Sequence, residues 1–157
     1  ASLIDDVGIQ MAKEQGVALS MDIYNGDYIN TVGVIDGWPE EFLRKNRETT
    51  QIQRENFTKA HQAGVTIVYG TDAGVYPHGD NAKQFAYMVE YGMTNMEAIQ
   101  AATIRASEVM GWEDRVGRIK TGYFADIIAV RDNPLLDIRS LENVNVVIKG
   151  GTVYKSD

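Results

Sequence analysis

The pattern of apolar and polar positions at the start of the chain predicts a helix followed by a buried strand. Apolar residues recur at helical spacing over 3–15, and Gly16 follows as a natural helix-ending residue. Ser2 and Asp5 have the spacing of a helix N-terminus, with acidic groups suited to its dipole. The run VALSMDI at 17–23 then predicts a short buried strand.

A long loop and a long helix are predicted next. The segment 24–38 is rich in Gly, Asn and Asp and therefore predicts a loop. Long ordered loops in compact domains are often functional, which draws attention to this one. Pro39 fits the first turn of a polar helix that extends to Ala63, and Gly64 ends it.

A second short strand is predicted at 65–70, where the sequence is VTIVYG. Its continuous apolar character suits a parallel sheet that is covered on both faces. Apolar positions from Phe85 onward predict a helix that stops at Gly92. The pair Thr94 and Glu97 forms a capping-box pattern for a further helix that runs to Gly111. The order of elements indicates an α/β protein with two parallel strands.

The chain changes character near residue 113. The short runs RI, ADIIAV, VNVVIKGG and TVY predict strands, and the Gly150-Gly151 pair suits a tight hairpin. We therefore predict a division into an α/β part, 1–112, and a small β segment, 113–157.

Composition narrows the function classes. The chain has 157 residues, a formal net charge of −7 and no cysteine. Without a basic stripe, nucleic acid and anionic membrane surfaces are not expected partners. Without cysteine, neither a thiolate nucleophile nor a Cys-based zinc site is available. No apolar run approaches the roughly 20 residues of a membrane span, so a soluble protein is expected, with the cytoplasm favoured.

Asp72 is the principal candidate for chemistry. It lies just past the carboxyl end of the second predicted strand, which is the end where ligands bind in α/β sheets and barrels. Thr71 and Asp72 could equally cap a turn. His78 follows in the next loop, whereas His61 falls in a predicted helix and is a weaker candidate.

Other candidate residues surround these strand ends without completing a known motif. Tyr24 and Asn25 follow the first strand, and Tyr76 follows the second; each suits either substrate contact or ordinary packing. The sequence lacks HxH and HExxH spacing, a phosphate-binding loop and a nucleophile elbow. The histidines present do not form a zinc site by themselves.

Three stretches together resemble the C-terminal part of a metal-dependent amidohydrolase. They are GVTIVYGTDAGVYPHGDN, MTNMEAIQAATIRASEVMG, and GRIKTGYFADIIAVRDNPLLDI with the following VNVVIKGGTVYKSD. The chain is most similar to the imidazolonepropionase-like branch, which includes Xaa-Pro dipeptidases of the prolidase-like kind. The resemblance covers essentially the whole chain, and its most specific parts are the Gly-Thr-Asp strand end and the segment 117–127.

The resemblance implies a (β/α)8 barrel with a small β-sandwich built from both chain ends. The two predicted strands would then be barrel strands seven and eight, and Asp72 would bind a divalent metal, with zinc favoured, and accept a proton from the attacking water. The remaining family ligands have no counterpart here. The chain opens ASLIDD without Met, and we expect upstream sequence to belong to the same fold.

Two functions remain open from the sequence. The first is a hydrolase of amide C–N bonds in dipeptides or N-acyl amino acids, active only with an N-terminal portion. Tyr24, Tyr76 and His78 would then contact the peptide or amide substrate. The second is a catalytically inactive fragment that acts as a binding or assembly module. A homo-oligomer is a further possibility, although identical copies would not supply the missing histidines.

Overall fold

The structure is a computed structural model that describes residues 3–157, and its first half alternates helices with two short strands. Helix α1, Asp6–Gln15, is capped by Asp5, whose Oδ1 accepts a hydrogen bond of 2.8 Å from the amide of Gly8. Gly16 ends the helix at φ 65°, as predicted. The helix begins later than the apolar spacing indicated, because Asp5 has the extended backbone of an N-cap residue. Ser2, the other half of the predicted start, lies outside the described residues.

The two predicted strands pair in parallel, as expected. Strand β1, Leu19–Met21, lies beside β2, Ile67–Tyr69, in a register that places Leu19 opposite Ile67. Each strand is shorter than the apolar run that predicted it. The mixed α/β class is therefore confirmed, and the carboxyl ends of both strands meet at one edge of the sheet.

The prediction of a loop over 24–38 is wrong, because much of this segment is helical. Helix α2, Asn25–Tyr28, continues into a π-helical turn, Ile29–Gly33, before α3, Glu40–Ala63. Contacts with α3 favour the helical form: the Asn46 side chain donates hydrogen bonds of 2.8 Å to the Gly26 carbonyl and 2.9 Å to Asn30 Oδ1. Gly26 is buried against α3, where a side chain would not fit.

The helices that follow β2 agree with the sequence except at one point. A 3-10 turn, His78–Lys83, leads into α4, Gln84–Glu90. The predicted capping box of Thr94 and Glu97 is present at the start of α5, Asn95–Ala102. The single helix predicted to run to Gly111 is interrupted at Thr103, whose ψ of −87° is not helical, and α6 covers Ile104–Val109.

The last part of the chain is a three-stranded antiparallel sheet in the order β3-β4-β5. Its strands are β3, Ile127–Ala129, β4, Val146–Lys149, and β5, Thr152–Ser156. Gly150 and Gly151 both have positive φ and form the predicted hairpin turn between β4 and β5. The strand predicted at the run RI is absent from the described structure, and Ile119 is 86% exposed.

The core lies between the parallel strands and the helices that cover them. It is built around fully buried side chains from β1, the residues after it, α3, β2 and α4: Met21, Ile23, Phe57, Ile67 and Met88. A smaller cluster of Ala86, Ile138 and Leu141 packs α4 against a 3-10 turn, Ile138–Glu142.

The division of the chain at residue 112 stays a prediction. Within residues 3–157, no helix is long and apolar enough to cross a membrane.

Candidate active site

Asp72 follows the end of β2 with an unusual backbone conformation. Its φ is 51°, and it is the one non-glycine residue among those described that has a positive φ. Aspartate tolerates this left-handed region better than most residues, although at a cost of roughly 1 kcal/mol. The side chain is exposed to solvent, and its Oδ2 lies 3.4 Å from the side-chain nitrogen of Asn25. Its carboxylate is therefore accessible at the sheet edge.

A second carboxylate, Asp22, lies at the same edge because it directly follows β1. The Asn25 side-chain nitrogen donates a hydrogen bond of 2.6 Å to Asp22 Oδ2, and so lies between the two acids. The Gln53 side chain donates to the backbone carbonyl of Asp22. Burial raises the pKa of Asp22, and the negative charge of Asp72 raises it further. Sequence reasoning missed Asp22 because the predicted strand 17–23 included it, whereas the structure ends β1 at Met21.

Gln84, at the start of α4, was also missed by sequence reasoning, and it joins the two strand ends. Its side chain is fully buried. Its Oε1 accepts hydrogen bonds from the backbone amides of Ile23 at 2.9 Å and Tyr24 at 3.4 Å. Its Nε2 donates to the carbonyl of Met21 at 3.0 Å and to that of Gly70. One buried side chain thus connects the segments that carry Asp22 and Asp72.

Two of the predicted contact residues, Tyr24 and Tyr76, lie together. Their rings meet edge to face with centroids 4.8 Å apart, and Tyr28 lies 6.0 Å from Tyr76. Tyr76 is 2% exposed, and its hydroxyl has no hydrogen bond of good geometry within the described part of the chain. Burial raises the pKa of Tyr76 to about 12, and it also raises the pKa of Tyr24. Both phenols are therefore neutral at physiological pH.

A cavity of about 430 Å³ opens beside these rings. Its walls include Tyr24, Tyr28, Asp27, Lys83 and Tyr87. Lys83 is held by an ion pair of 2.8 Å with Asp80, and its ammonium group lies 5.9 Å from the Tyr24 ring centroid. Asp27 is held by Arg54 at 2.8 Å. The cavity therefore combines aromatic walls with charged groups that are already oriented, as small-molecule sites commonly do.

The two histidines lie apart from this arrangement. His78 begins the 3-10 turn after β2 and is exposed, and among residues 3–157 no hydrogen bond joins it to Asp72. His61 lies near the end of α3, with its Nε2 3.5 Å from Glu97 Oε1. The substrate roles predicted for Tyr24, Tyr76 and His78 stay predictions.

The described residues fit a metal ion only in part. Asp72 and Asp22 offer carboxylate oxygens at one edge, and oxygen ligands suit zinc and other divalent ions. No group of three or more His, Cys, Asp or Glu side chains in the described chain is arranged to hold an ion. Asp72 can therefore supply one ligand of a metal site, while further ligands must come from other residues.

Parallel strands flanked by helices, with acidic residues at their carboxyl ends, define an α/β protein whose site is suited to hydrolytic chemistry. A sequence model of the Amidohydrolase family matches residues 2–154, and the chain belongs to this family of hydrolytic enzymes.

Individual relatives agree with this assignment. Ochratoxinase from Aspergillus niger is 35% identical over 171 residues, an alignment that covers 98% of this chain and 32% of the relative. A crystal structure of an Xaa-Pro dipeptidase with bound methionine in the active site is 40% identical, with a TM-score of 0.92 over 99% of this chain and 39% of the other. A prolidase complexed with N-methylphosphonate-L-proline is 26% identical, with a TM-score of 0.90 and the same two coverages. The chain thus spans well under half the length of these relatives.

Proposed function

We propose that this chain is part of a metal-dependent hydrolase of amide C–N bonds, with dipeptides or N-acyl amino acids as substrates. The observation that carries the proposal is the place of Asp72: an accessible carboxylate directly after a parallel strand, beside a second carboxylate at the same edge. Membership of the Amidohydrolase family supports amide hydrolysis as the reaction class.

We further propose that β1 and β2 are strands seven and eight of a (β/α)8 barrel, and that β3–β5 belong to a composite β-sandwich. The parallel sheet of the described chain has two strands, each with one unpaired edge. Unpaired edges of parallel strands are normally covered by neighbours. The N-terminal portion of the same enzyme is the partner that would supply the earlier strands and the missing ligands.

Asp72 would be one of the residues that hold the metal ion, and its carboxylate would accept a proton from the attacking water. A bound divalent ion, for which we favour zinc, supplies Lewis acidity and makes water reactive near neutral pH. Asp22 lies close enough to Asp72 for the negative charge of Asp72 to raise the pKa of Asp22. Asn25 would orient the two acids by its contacts with both.

The cavity beside Tyr24 is the proposed substrate site. The solved relatives bind methionine in one case and a proline-based phosphonate in another, so an amino-acid side chain is a suitable occupant by analogy. Tyr24 would form part of one wall with the Tyr76 ring packed against it, and His78 would contact the substrate from the loop after β2. The aromatic walls favour an apolar side chain.

The test is hydrolysis of a dipeptide and N-acyl amino acid panel by the protein that carries this chain, with metal content measured on the same sample. Asp72→Asn removes the negative charge and is expected to reduce turnover at least about 100-fold, the scale of a lost acid–base group. Asp132→Asn, an exposed acid in the loop after β3, is the matched control and should leave turnover unchanged. Equal turnover of the two variants would exclude the proposed role of Asp72.

An assembly or binding role is the second candidate. The unpaired edge of each parallel strand favours it, because such an edge can pair with another chain. If the protein binds no divalent metal and hydrolyses no member of the panel, this reading replaces the enzymatic one.

A further inference from the structure

The backbone hydrogen bonding between β1 and β2 ends just before the two acids. The last paired residues are Met21 and Tyr69, and the Gly70 amide then donates a 3.2 Å bond to the carbonyl of Met21. Beyond this point the strands have no common ladder, and the buried side chain of Gln84 joins their exits. Asn25 joins the same exits nearer the surface, through its contacts with both acids.

The Gln84 amide uses its full bonding capacity on these two exits. A primary amide has two N–H donors and two acceptor lone pairs. Both donors of Gln84 go to the carbonyls of Met21 and Gly70, and both lone pairs accept from the amides of Ile23 and Tyr24. The side chain is fully buried, so water is a poor substitute for any of these partners.

The backbone groups that Gln84 binds lie close to the two acidic residues in the sequence. Asp22 lies between Met21, whose carbonyl is bound, and Ile23, whose amide is bound. Asp72 comes two residues after Gly70, whose carbonyl is bound. A change at Gln84 is therefore transmitted to both acids through one or two peptide units.

We propose that Gln84 is a positioning residue that sets the separation of Asp22 and Asp72. Its importance for catalysis rests on the function proposed above, but its effect on the two carboxylates does not. It touches neither acid directly, and it acts through the strand exits on which they are carried.

NMR of the protein that carries this chain tests the proposal without any substrate. In the unchanged protein, the side-chain NH₂ of Gln84 should exchange with solvent at least about tenfold more slowly than that of Gln51, an exposed glutamine of α3. In Gln84→Leu, the Ile23 amide should exchange about tenfold faster relative to the buried Phe57 amide, as expected for a lost buried partner.

The decisive readout is the side-chain carboxyl ¹³C signals of Asp22 and Asp72 at one fixed pH. Both should shift in Gln84→Leu, whereas Gln51→Leu and the core variant Ile9→Val should leave them in place. Gln84→Glu keeps an oxygen that can accept from Ile23 but has at most one O–H donor in place of two N–H donors, so it should move the Asp72 signal more than the Asp22 signal. Rapid exchange of the Gln84 NH₂ in the unchanged protein, or unshifted carboxyl signals in both Gln84 variants, overturns the proposal.

Kinetics separate this inference from the proposed function. If the protein is a hydrolase, Gln84→Glu should lower kcat at least about tenfold with little change in KM, because misplaced reacting groups slow the chemical step. An unchanged kcat beside shifted carboxyl signals would refute the catalytic importance of the spacing. Shifted signals in a protein without hydrolytic activity would retain the positioning role and reject the proposed function.

Discussion

Substitution of Gly70 by alanine is expected to force apart the two strand exits that carry the candidate site. A Cβ at this position would lie 2.6 Å from Ser20 Oγ and 3.2 Å from the backbone nitrogen and carbonyl carbon of Met21. The obstacle is steric, because Gly70 does not have the positive φ that many other glycines of the described chain have. The neighbouring strand must therefore move.

The cost can be divided between the two contacts. Overpacking of this kind destabilises a protein by about 1–3 kcal/mol. The Ser20 side chain is exposed and can rotate away, whereas the Met21 backbone is held in the parallel pair. We therefore expect Ser20→Ala to recover no more than about 0.5 kcal/mol of the loss in the double variant, the lower end of the coupling between residues in contact.

Chemical denaturation of the unchanged protein, Gly70→Ala, Ser20→Ala and the double variant measures the total loss of stability and the part of it that Ser20 causes. A loss of 1–3 kcal/mol corresponds to a fall in Tm of about 2–12 °C for a protein of this size. Gly79→Ala is the matched control, since a Cβ there meets no atom within 4 Å and its φ is not positive. A Gly70→Ala protein within about 0.5 kcal/mol of the unchanged one would refute the steric argument.

Three further predictions concern caps, charge and buried hydroxyls. Thr94→Ala should cost about 1 kcal/mol through the lost cap. Hydrogen bonds from Thr94 lower the pKa of Glu97, so the stability that they provide is present above pH 4.5 and is lost as pH falls through the folded pKa. Urea titrations at several pH values should therefore show that the unfolding free energy of the variant depends less on pH in acid than that of the unchanged protein. Burial raises the pKa of Asp22 above 3.8, so ionisation of this group costs stability as pH rises from 3.8 through the folded pKa, and the cost is complete above the folded pKa. Asp22→Asn should therefore be more stable than the unchanged protein near neutral pH and equally stable in acid below 3.8. A constant difference across pH would contradict this. Tyr76→Phe should leave the unfolding free energy unchanged or higher, because the Tyr76 hydroxyl makes no hydrogen bond of good geometry. Tyr87→Phe loses a hydrogen bond to Asp27 and should cost about 1 kcal/mol. Equal losses for the two variants in thermal melts would count against this distinction.

The elements that the sequence predicted correctly are those with local signals. Gly16 and Gly64 end helices with left-handed backbones, and the capping box at Thr94 is present. The two apolar runs form parallel strands, and Gly150-Gly151 forms the hairpin. Each of these signals depends on residues within a few positions of one another, which is why sequence reasoning could find them.

The segment after β1 was predicted wrongly because its helical form depends on distant residues. Glycine and asparagine favour loops on their own. Here Gly26 lets α2 approach α3 closely, and Asn46 binds both the Gly26 carbonyl and Asn30. No pattern within 24–38 reveals these partners, so tertiary contacts override the local preference.

The candidate site likewise contains a residue that a local sequence pattern reveals and a residue that only the folded chain brings into place. Asp72 could be found because an acid just past a predicted buried strand is a local signal, whereas Asp22 lay inside the predicted strand 17–23 and was missed. Gln84 carries none, since a glutamine beside a helix N-terminus is ordinarily a surface residue. It becomes important because the loop after β2 returns the chain to the strand exits and buries the amide between them. The sequence thus points to Asp72 as a candidate group, whereas in our proposal its distance from Asp22 depends on Gln84, a residue that has significance only in the folded protein.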